Sequence, residues 1–495
     1  VHFEDVIRTG DGLNNHKLVR AWVKEIVELT KEMDSWGIGL VRKGDKLDQK
    51  ALSGQAYPRV VHYHDTTGKP IMKCLSQKSK DMGVQVLEHT IVGGLLKKDG
   101  GVTGAWGIQY QTGQLFFIKA KAVVLATGGM GRLLPITDNV GGITGEGYAL
   151  AFRAGAELID MEMVDFQVTA CYPERMKGYP CHAAGFINLG GARLYNGLGE
   201  RFMKKYFPDT GEKEKTRAQV AQSIGLEIYE GRGTSHGGIF LDASEVTPEM
   251  QKTFFPTIWN AFRNAGIDLS YQPIEVVPNA HTFLGGLRID ETASTSVPGL
   301  FAAGEAAGGV HGATRTDGGA LSDALAFGAI AGRSAAHYAR QLDKQLPWDE
   351  QQLLEVQRGI EGLLSIKGGV KPSELKRSIQ VVANTYLNVV RDEEGLKKAH
   401  QELERIEREI LPRMSAMEAD QKKRALRLRE AVEADGQLEL AKIIATAALC
   451  RQESRGGHYR RDYPLQDDNN WVKNIVLKSE QGAISCRTVP TVREE

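Results

Sequence analysis

Within twelve positions the chain places an acid, a run of glycines and a fixed cation: Gly304-Glu305, then His311-Gly312-Ala313-Thr314-Arg315. The preceding Leu300-Phe301-Ala302-Ala303 is short and apolar, as a buried strand must be. Gly304 lets the backbone approach a ligand, Glu305 can accept hydrogen bonds from sugar hydroxyls, and Arg315 offers a planar fork for a carboxylate. Together these residue types suit a flavin lying beside an organic acid. A buried strand that ends in an ordinary glycine turn fits Leu300–Glu305 equally well.

The elements that would position these groups follow one grammar. Lys121-Ala122-Val123-Val124-Leu125-Ala126 is a continuous apolar run that stops at Thr127-Gly128-Gly129-Met130-Gly131. Such a run reads as a parallel strand buried on both faces, and ligands in open α/β sheets bind beyond the carboxyl ends of such strands. Thr144-Gly145-Glu146-Gly147, opening a helix over Tyr148–Ala156, brings helix N-terminal amides next to a carboxylate, a place for phosphate or ribose. Each glycine patch alone could be a turn; their recurrence in one chain favours a nucleotide site. Upstream, the pattern predicts a helix over Asn15–Trp36, turn chemistry over Pro58–Lys73, a strand over Gly83–Glu88 and a β-meander over Gly94–Phe117. Residues 161–277 change texture, and the apolar–glycine grammar returns over Pro278–Gly332. We therefore expect a Rossmann-like cofactor domain (1–160 and 279–342) interrupted by an α+β capping domain (161–278). A helical domain (343–440) and a C-terminal extension (441–495) follow, giving an α/β-plus-helical fold class. In the helical domain Leu396, Ala399, Leu403, Ile406 and Ile410 recur three and four apart, the stripe of a bundle helix ending before Pro412.

With 495 residues the chain exceeds one core. Its 62 Lys and Arg balance 62 Asp and Glu, so no long-range field favours nucleic acid or an anionic membrane, and anion selectivity must come from local arginines. Five cysteines at no metal-ligand spacing argue against a zinc or iron–sulfur site in this chain and suit a reducing compartment. No apolar run approaches the roughly 20 residues that span a bilayer, and no signal peptide opens the chain. The expectation is a cytoplasmic protein that reaches the cytoplasmic face of a membrane only through partners.

Six ordered motifs carry a resemblance that covers nearly the whole chain: Ala126–Gly129, Thr144–Gly147, Asn279-Ala280-His281-Thr282-Phe283-Leu284-Gly285-Gly286, Gly299–Glu305, His311–Arg315, and Glu453-Ser454-Arg455-Gly456-Gly457-His458-Tyr459-Arg460 with Asp462-Tyr463-Pro464 and Asp467-Asp468. The chain resembles the flavoprotein subunit of the fumarate reductase/succinate dehydrogenase family, which includes L-aspartate oxidase and adenylylsulfate reductase flavoproteins. The resemblance implies an FAD-dependent oxidoreductase acting on the Cα–Cβ bond of a carboxylic acid, working with an iron–sulfur electron-transfer subunit. It implies a cofactor set of Ala126, Thr127, Gly128, Gly129, Glu146, Gly304, Glu305, Ala320 and Leu321. It also implies that Arg217 moves the proton while His281 and Arg315 clamp a substrate carboxylate. An arginine is an odd acid, with a pKa above about 12, so this role needs a relay through its neighbours.

The departures matter as much. Where the dicarboxylate branch has His-Pro-Thr-Gly, this chain reads Gln167-Val168-Thr169-Ala170, and Ala184–Gly191 replaces the Thr-Glu-Gly…Arg-Gly-Glu-Gly-Gly stretch. Groups that would hold the second carboxylate of fumarate are missing, so the expected substrate is another acid. Cys171–His182, with Tyr172, Glu174, Arg175, Lys177 and His182, could line a different pocket or could be loop surface. The chain opens at Val1 rather than methionine and holds no Gly-x-Gly-x-x-Gly turn after a strand. The expectation is a fragment lacking the first βαβ unit of its cofactor domain, with weak FAD binding if these residues are the whole polypeptide, and with covalent attachment undetermined. An L-aspartate oxidase-like enzyme, or a catalytically silent flavin-binding or interaction subunit, stays open as an alternative.

Overall fold

Apolar runs that stop at glycine become parallel strands in this protein. The computed structural model describes residues 1–493 except 53, 214, 254, 255, 345 and 346. Four strands and four helices carry the functional argument: β1 (Val123–Leu125), α1 (Glu146–Ala154), β2 (Val164–Tyr172), α2 (Arg217–Tyr229), β3 (Ile274–Phe283), β4 (Leu300–Ala302), α3 (Gly319–Gln341) and α4 (Gln421–Cys450). β1 and β4 pair in parallel, Val123 with Leu300 and Leu125 with Ala302, so their carboxyl-end loops emerge side by side. α3 covers this pair, burying Phe327 and Ala331, while Tyr338 meets Phe301 edge-on at 6.0 Å. α1 is buried along almost its whole length and is entered through Gly145 at φ 93°, a left-handed turn that suits glycine.

Of the upstream expectations the helix and the meander form, the strand does not, and the stretch expected as turns over Pro58–Lys73 ends in the helix Gly68–Asp81. The helix expected at Asn15–Trp36 forms over His16–Ser35, with the Asn15 side chain accepting from the Lys17 amide. Gly83–Glu88, expected as a strand, makes none. Met82, Val84, Val86 and Leu87 stay 56–81% exposed. Strand propensity without a ladder partner does not hold a strand, and no described strand runs beside this segment. The meander is present as the antiparallel strands Thr90–Lys98, Gly101–Gln109 and Gln114–Lys119.

The capping region is one antiparallel sheet in the order β2, β3, Ile239–Asp242, Arg193–Tyr195. It has its own core, in which Val220 and Ile224 of α2 lie against Val168, Ala170 and Val276. Pairing of β2 with β3 runs Asp165↔Thr282, then Phe166↔Ala280 and Gln167↔Asn279. His281 is the extra residue of a β-bulge, a device that re-aims a side chain. Because alternate residues of a strand share a face, Asp165, Gln167 and Thr169 form one row.

The apolar stripe of the helical region behaves as expected. Leu396, Ala399, Leu403 and Ile406 are buried on the helix Glu393–Arg405 and its wider continuation Ile406–Ile410, packed on α4 and Pro372–Tyr386. The C-terminal hairpin Lys473–Glu480 and Ala483–Pro490 adds to a five-stranded sheet through Leu158–Ile159, so the end of the chain returns to the cofactor domain. Cys450 at the end of α4 and Cys486 on this hairpin bring their sulfur atoms side by side.

Candidate active site

The site forms where the bulged edge of the capping sheet meets the loop after β4. Thr216 caps α2, its hydroxyl accepting from the Gln219 amide while the Gln219 side chain accepts from the Thr216 amide; this fixes Arg217 as the first helical residue. The Arg217 guanidinium lies 3.4 Å from Asp165 and in contact with Asp317. Arg315 Nη2 donates to the same Asp165 carboxylate at 2.9 Å. Two arginines from different segments thus share one buried aspartate. His281 Nδ1 lies 2.7 Å from Asp138 Oδ2, and Asn139 Nδ2 donates to the His281 carbonyl at 3.1 Å, so the bulge is held from below. With Nδ1 engaged, Nε2 is the ring nitrogen available to a ligand. Gln167 Nε2 donates to His182 Nδ1 at 3.0 Å.

Electrostatics tie these groups into one site. Burial pushes the Asp165 carboxyl up, but Arg315, Arg217 and His281 outweigh it and hold it below the usual carboxylate range. Burial also works against the charge on Arg217, yet Asp165 and Asp317 raise its pKa further. Burial, helped by Arg217 and His281, lowers His182 to about 4, so this imidazole is neutral at physiological pH. Glu305 is pushed up to about 7 by burial, with the Phe283 amide, His281 and Arg315 acting in the opposite sense. The Phe283 amide donates to Glu305 Oε1 at 2.9 Å, linking the cofactor loop to the strand that carries His281.

The structure therefore brings Arg217, His281, Arg315 and Glu305 together. The aspartates at 165, 317 and 138 were not singled out from the sequence, although Asp317 lies two residues beyond Arg315 and Asp165 two before Gln167. Among the lid residues, only His182 joins the site. Tyr172 stacks on His236 at 3.9 Å, Arg175 Nε donates to the Ala265 carbonyl at 2.7 Å, and Lys177 pairs with Glu174 on the surface. His311 lies against Trp22 and 3.3 Å from Asp323, a buried structural position.

The residues expected to hold FAD can be tested against its shape. Ala126 and Thr127 lie open to solvent at the carboxyl end of β1, and Gly128 takes φ 73°. A Cβ on Gly129 would come within 1.9 Å of the Glu305 carboxylate, and one on Gly147 within 1.9 Å of Thr127 Oγ1. A side chain at either position would displace Glu305 or Thr127. Ala320 and Leu321 occupy the first turn of α3, whose cap residue Gly318 offers no side-chain acceptor to its amides. Exposed strand ends, close glycines and an uncapped helix start gather beyond the carboxyl ends of β1 and β4, so the residues fit the cofactor. Glu146 is placed differently. Its carboxylate accepts from Thr144, and with Arg153 and Asp435 it borders a cavity of about 340 Å³ roofed by Glu350–Ser365, so its side chain faces the helical region.

Comparison with known proteins agrees with this geometry. Residues 1–321 match the FAD binding domain family and residues 376–494 the fumarate reductase flavoprotein C-terminal family. The chain belongs to the fumarate reductase/succinate dehydrogenase flavoprotein family. It is 35% identical to a subunit of the fumarate reductase (CoM/CoB) of Methanothermobacter marburgensis, over 96% of this chain and 86% of that protein. It is 37% identical to an uncharacterised FAD-dependent oxidoreductase of Methanocaldococcus jannaschii, over 97% of this chain and 86% of that protein. Among solved structures, Mycobacterium smegmatis Sdh1 in complex with UQ1 superposes with a TM-score of 0.89 at 32% identity, over 100% of this chain and 84% of that one. A member of this family is an FAD-dependent oxidoreductase acting on CH–CH groups, and FAD is the cofactor of this flavoprotein. Among the described residues no helix is long and apolar enough to cross a membrane.

Proposed function

We propose that the protein interconverts the CH=CH and CH2–CH2 forms of a carboxylic acid other than fumarate, with Arg315 and His281 holding the carboxylate and Arg217 moving the proton. The observation that carries this reading is the sharing of Asp165 by Arg217 and Arg315 beside His281, with Glu305 leading to the cofactor residues. FAD, when bound, accepts or supplies the hydride at one carbon. The chain's task is to orient the acid, keep bulk water out and manage the proton at the other carbon. Arg217 is held firmly protonated, so it acts in a pair: as its proton goes to the substrate carbon, Asp317, in contact with it and partly exposed, returns a proton taken from solvent.

The electrons reach or leave the flavin through a partner, for which we propose an iron–sulfur protein. The cysteine spacing of this chain suits no cluster, and the Methanothermobacter relative is one subunit of a larger enzyme by its name. The site is expected to work at the cytoplasmic side. The test is stopped-flow oxidation of the dithionite-reduced, FAD-loaded protein by a panel of alkenoic acids. At least one acid should reoxidise the flavin with saturation, and Arg217→Ala should abolish that phase while leaving the flavin bound. A panel that leaves reduced flavin untouched refutes the reading.

A further inference from the structure

The row that leads away from the arginine pair is built of neutral polar groups whose hydrogen-bonding capacity is unspent. Gln167 and Asn279 are direct cross-strand partners, and Thr169 follows on the same face. Gln167 is 3% exposed, while Asn279 and Thr169 are fully buried. Among the described residues Gln167 Oε1, Thr169 Oγ1 and both Asn279 amide atoms have no hydrogen-bond partner, nor has Arg315 Nε at the near end. Each such group, left unmade, costs about 1–3 kcal/mol. So many on one face, continuous with the acid site through the Gln167–His182 bond, make a buried wall that a small polar ligand entering from the acid site would complete.

The chemistry of that ligand follows from what the row lacks. Arg217 and Arg315 are already countered by Asp165 and Asp317, and His281 by Asp138. His182 is neutral. The spare donors of Arg315 and His281 can hold one carboxylate, but no cation remains for a second, and a buried unpaired charge costs several kcal/mol. Gln167 Oε1 is an acceptor and needs a donor opposite it, which a carboxylate cannot supply. A carboxamide can: its N–H meets Gln167 Oε1 and its carbonyl meets Asn279 Nδ2. Asp165 and Gln167, two residues apart on an extended strand, are separated by about 7 Å, which leaves room for a short acid together with its hydrogen bonds at both ends.

We infer that the substrate carries one carboxylate, held at Arg315 and His281, and at its other end an uncharged carboxamide read by Gln167 and Asn279. This rests on the proposed CH–CH chemistry of the site and specifies its substrate class. The two can be tested apart by measuring binding and turnover separately on the FAD-loaded protein. Perturbation of the oxidised flavin spectrum should give at least ten-fold tighter binding of succinamate than of succinate. Gln167→Glu and Asn279→Asp, which place charge where the amide should lie, should each erase that preference, and Thr169→Val should weaken succinamate alone. Equal or tighter binding of succinate, no binding of either probe, or an unchanged preference in both charged variants would overturn the inference. The monoamide of fumaric acid should then reoxidise the reduced flavin faster than fumarate. If succinamate binds selectively but its unsaturated form does not turn over, the pocket inference stands and the CH–CH reading is the one that falls.

Discussion

Two buried charge clusters in this molecule use the same residue types for opposite ends. One is the acid site. The other is the C-terminal hub, where Arg391, Arg451, Arg455 and Arg460 are at most 2% exposed. In the hub every arginine is engaged several times over. Arg451 reaches Glu162, Glu453 and the carbonyls of Trp471 and Lys473; Arg455 is bidentate to Glu453; and Arg460 pairs with Asp462 and caps the carbonyls at the end of α4. Its glycines press on the site from behind, with the Gly457 amide donating to the Ala313 carbonyl at 3.1 Å. At the acid site, by contrast, Arg217 is 22% exposed and Arg315 Nε is unpartnered. Spent donors make scaffold and unspent donors make a site. The hub's Ser-Arg-Gly-x-His grammar is therefore a structural signature: it ties the last stretch of the chain to the loop that carries Arg315.

Substitutions should separate the two clusters. Arg217→Ala removes the group that moves the proton, and turnover should fall about 10²–10⁴-fold, the usual worth of a positioned acid. The urea midpoint of the FAD-loaded protein should barely move, because the buried Asp165 keeps its pair with Arg315 and the partly exposed Asp317 can be hydrated. Arg451→Met should do the reverse. It strands Glu162 in the interior and leaves Glu453 to Arg455 alone, which costs about 3–5 kcal/mol and should appear as a large fall in the urea midpoint or as insoluble protein. If Arg451→Met is as stable as the parent and merely slow, the hub takes part in function and the contrast fails.

A smaller effect concerns pH. The Glu305 carboxyl, raised by burial to about 7, binds its proton more tightly in the folded than in the unfolded chain. Between about pH 4.5 and 7 the unfolded state therefore holds fewer protons, and stability contributed by this group declines as pH rises through that window. Glu305→Gln should relieve the penalty, gaining about 1–3 kcal/mol at pH 8 relative to its difference from the parent at pH 5, in flavin-free protein. A difference that does not change with pH would show that burial does not govern this carboxyl.

How much of this the sequence discloses depends on the range of the forces involved. Gly304-Glu305, Gly128-Gly129 and Arg315 are legible because close backbone approach and strand ends leave local marks: an apolar run, then glycine. The bundle stripe at Leu396–Ile410 is legible for the same reason, being periodic along one helix. Asp165, Asp317 and Asp138 are not legible, since an aspartate gains meaning only from a partner 50 to 150 residues away, as in the Arg315–Asp165 pair. Gly83–Glu88 misleads in the opposite way. Its composition favours a strand, but strand formation depends on a neighbour that composition does not describe. The bulge at His281 is likewise invisible locally, because it exists only in the register between β2 and β3.

The finest test of the contrast compares the two histidines. His458 Nδ1 faces Arg391 at 3.0 Å, and burial with Arg391, Arg451 and Arg460 around it lowers its pKa well below the usual value, so it stays a neutral acceptor. His281 Nδ1 faces a carboxylate instead, so that as imidazolium it donates Nδ1–H to Asp138 and leaves Nε2–H to donate to the ligand carboxylate. Asp138→Asn keeps the size and one possible acceptor but removes the charge that favours this orientation. The loss should be about 1 kcal/mol, the difference between a charge-assisted and a neutral hydrogen bond, hence roughly five-fold weaker binding of a saturated acid with little change in the urea midpoint. If His281 were merely structural, as His458 is, the same substitution would lower the urea midpoint and leave acid binding unchanged.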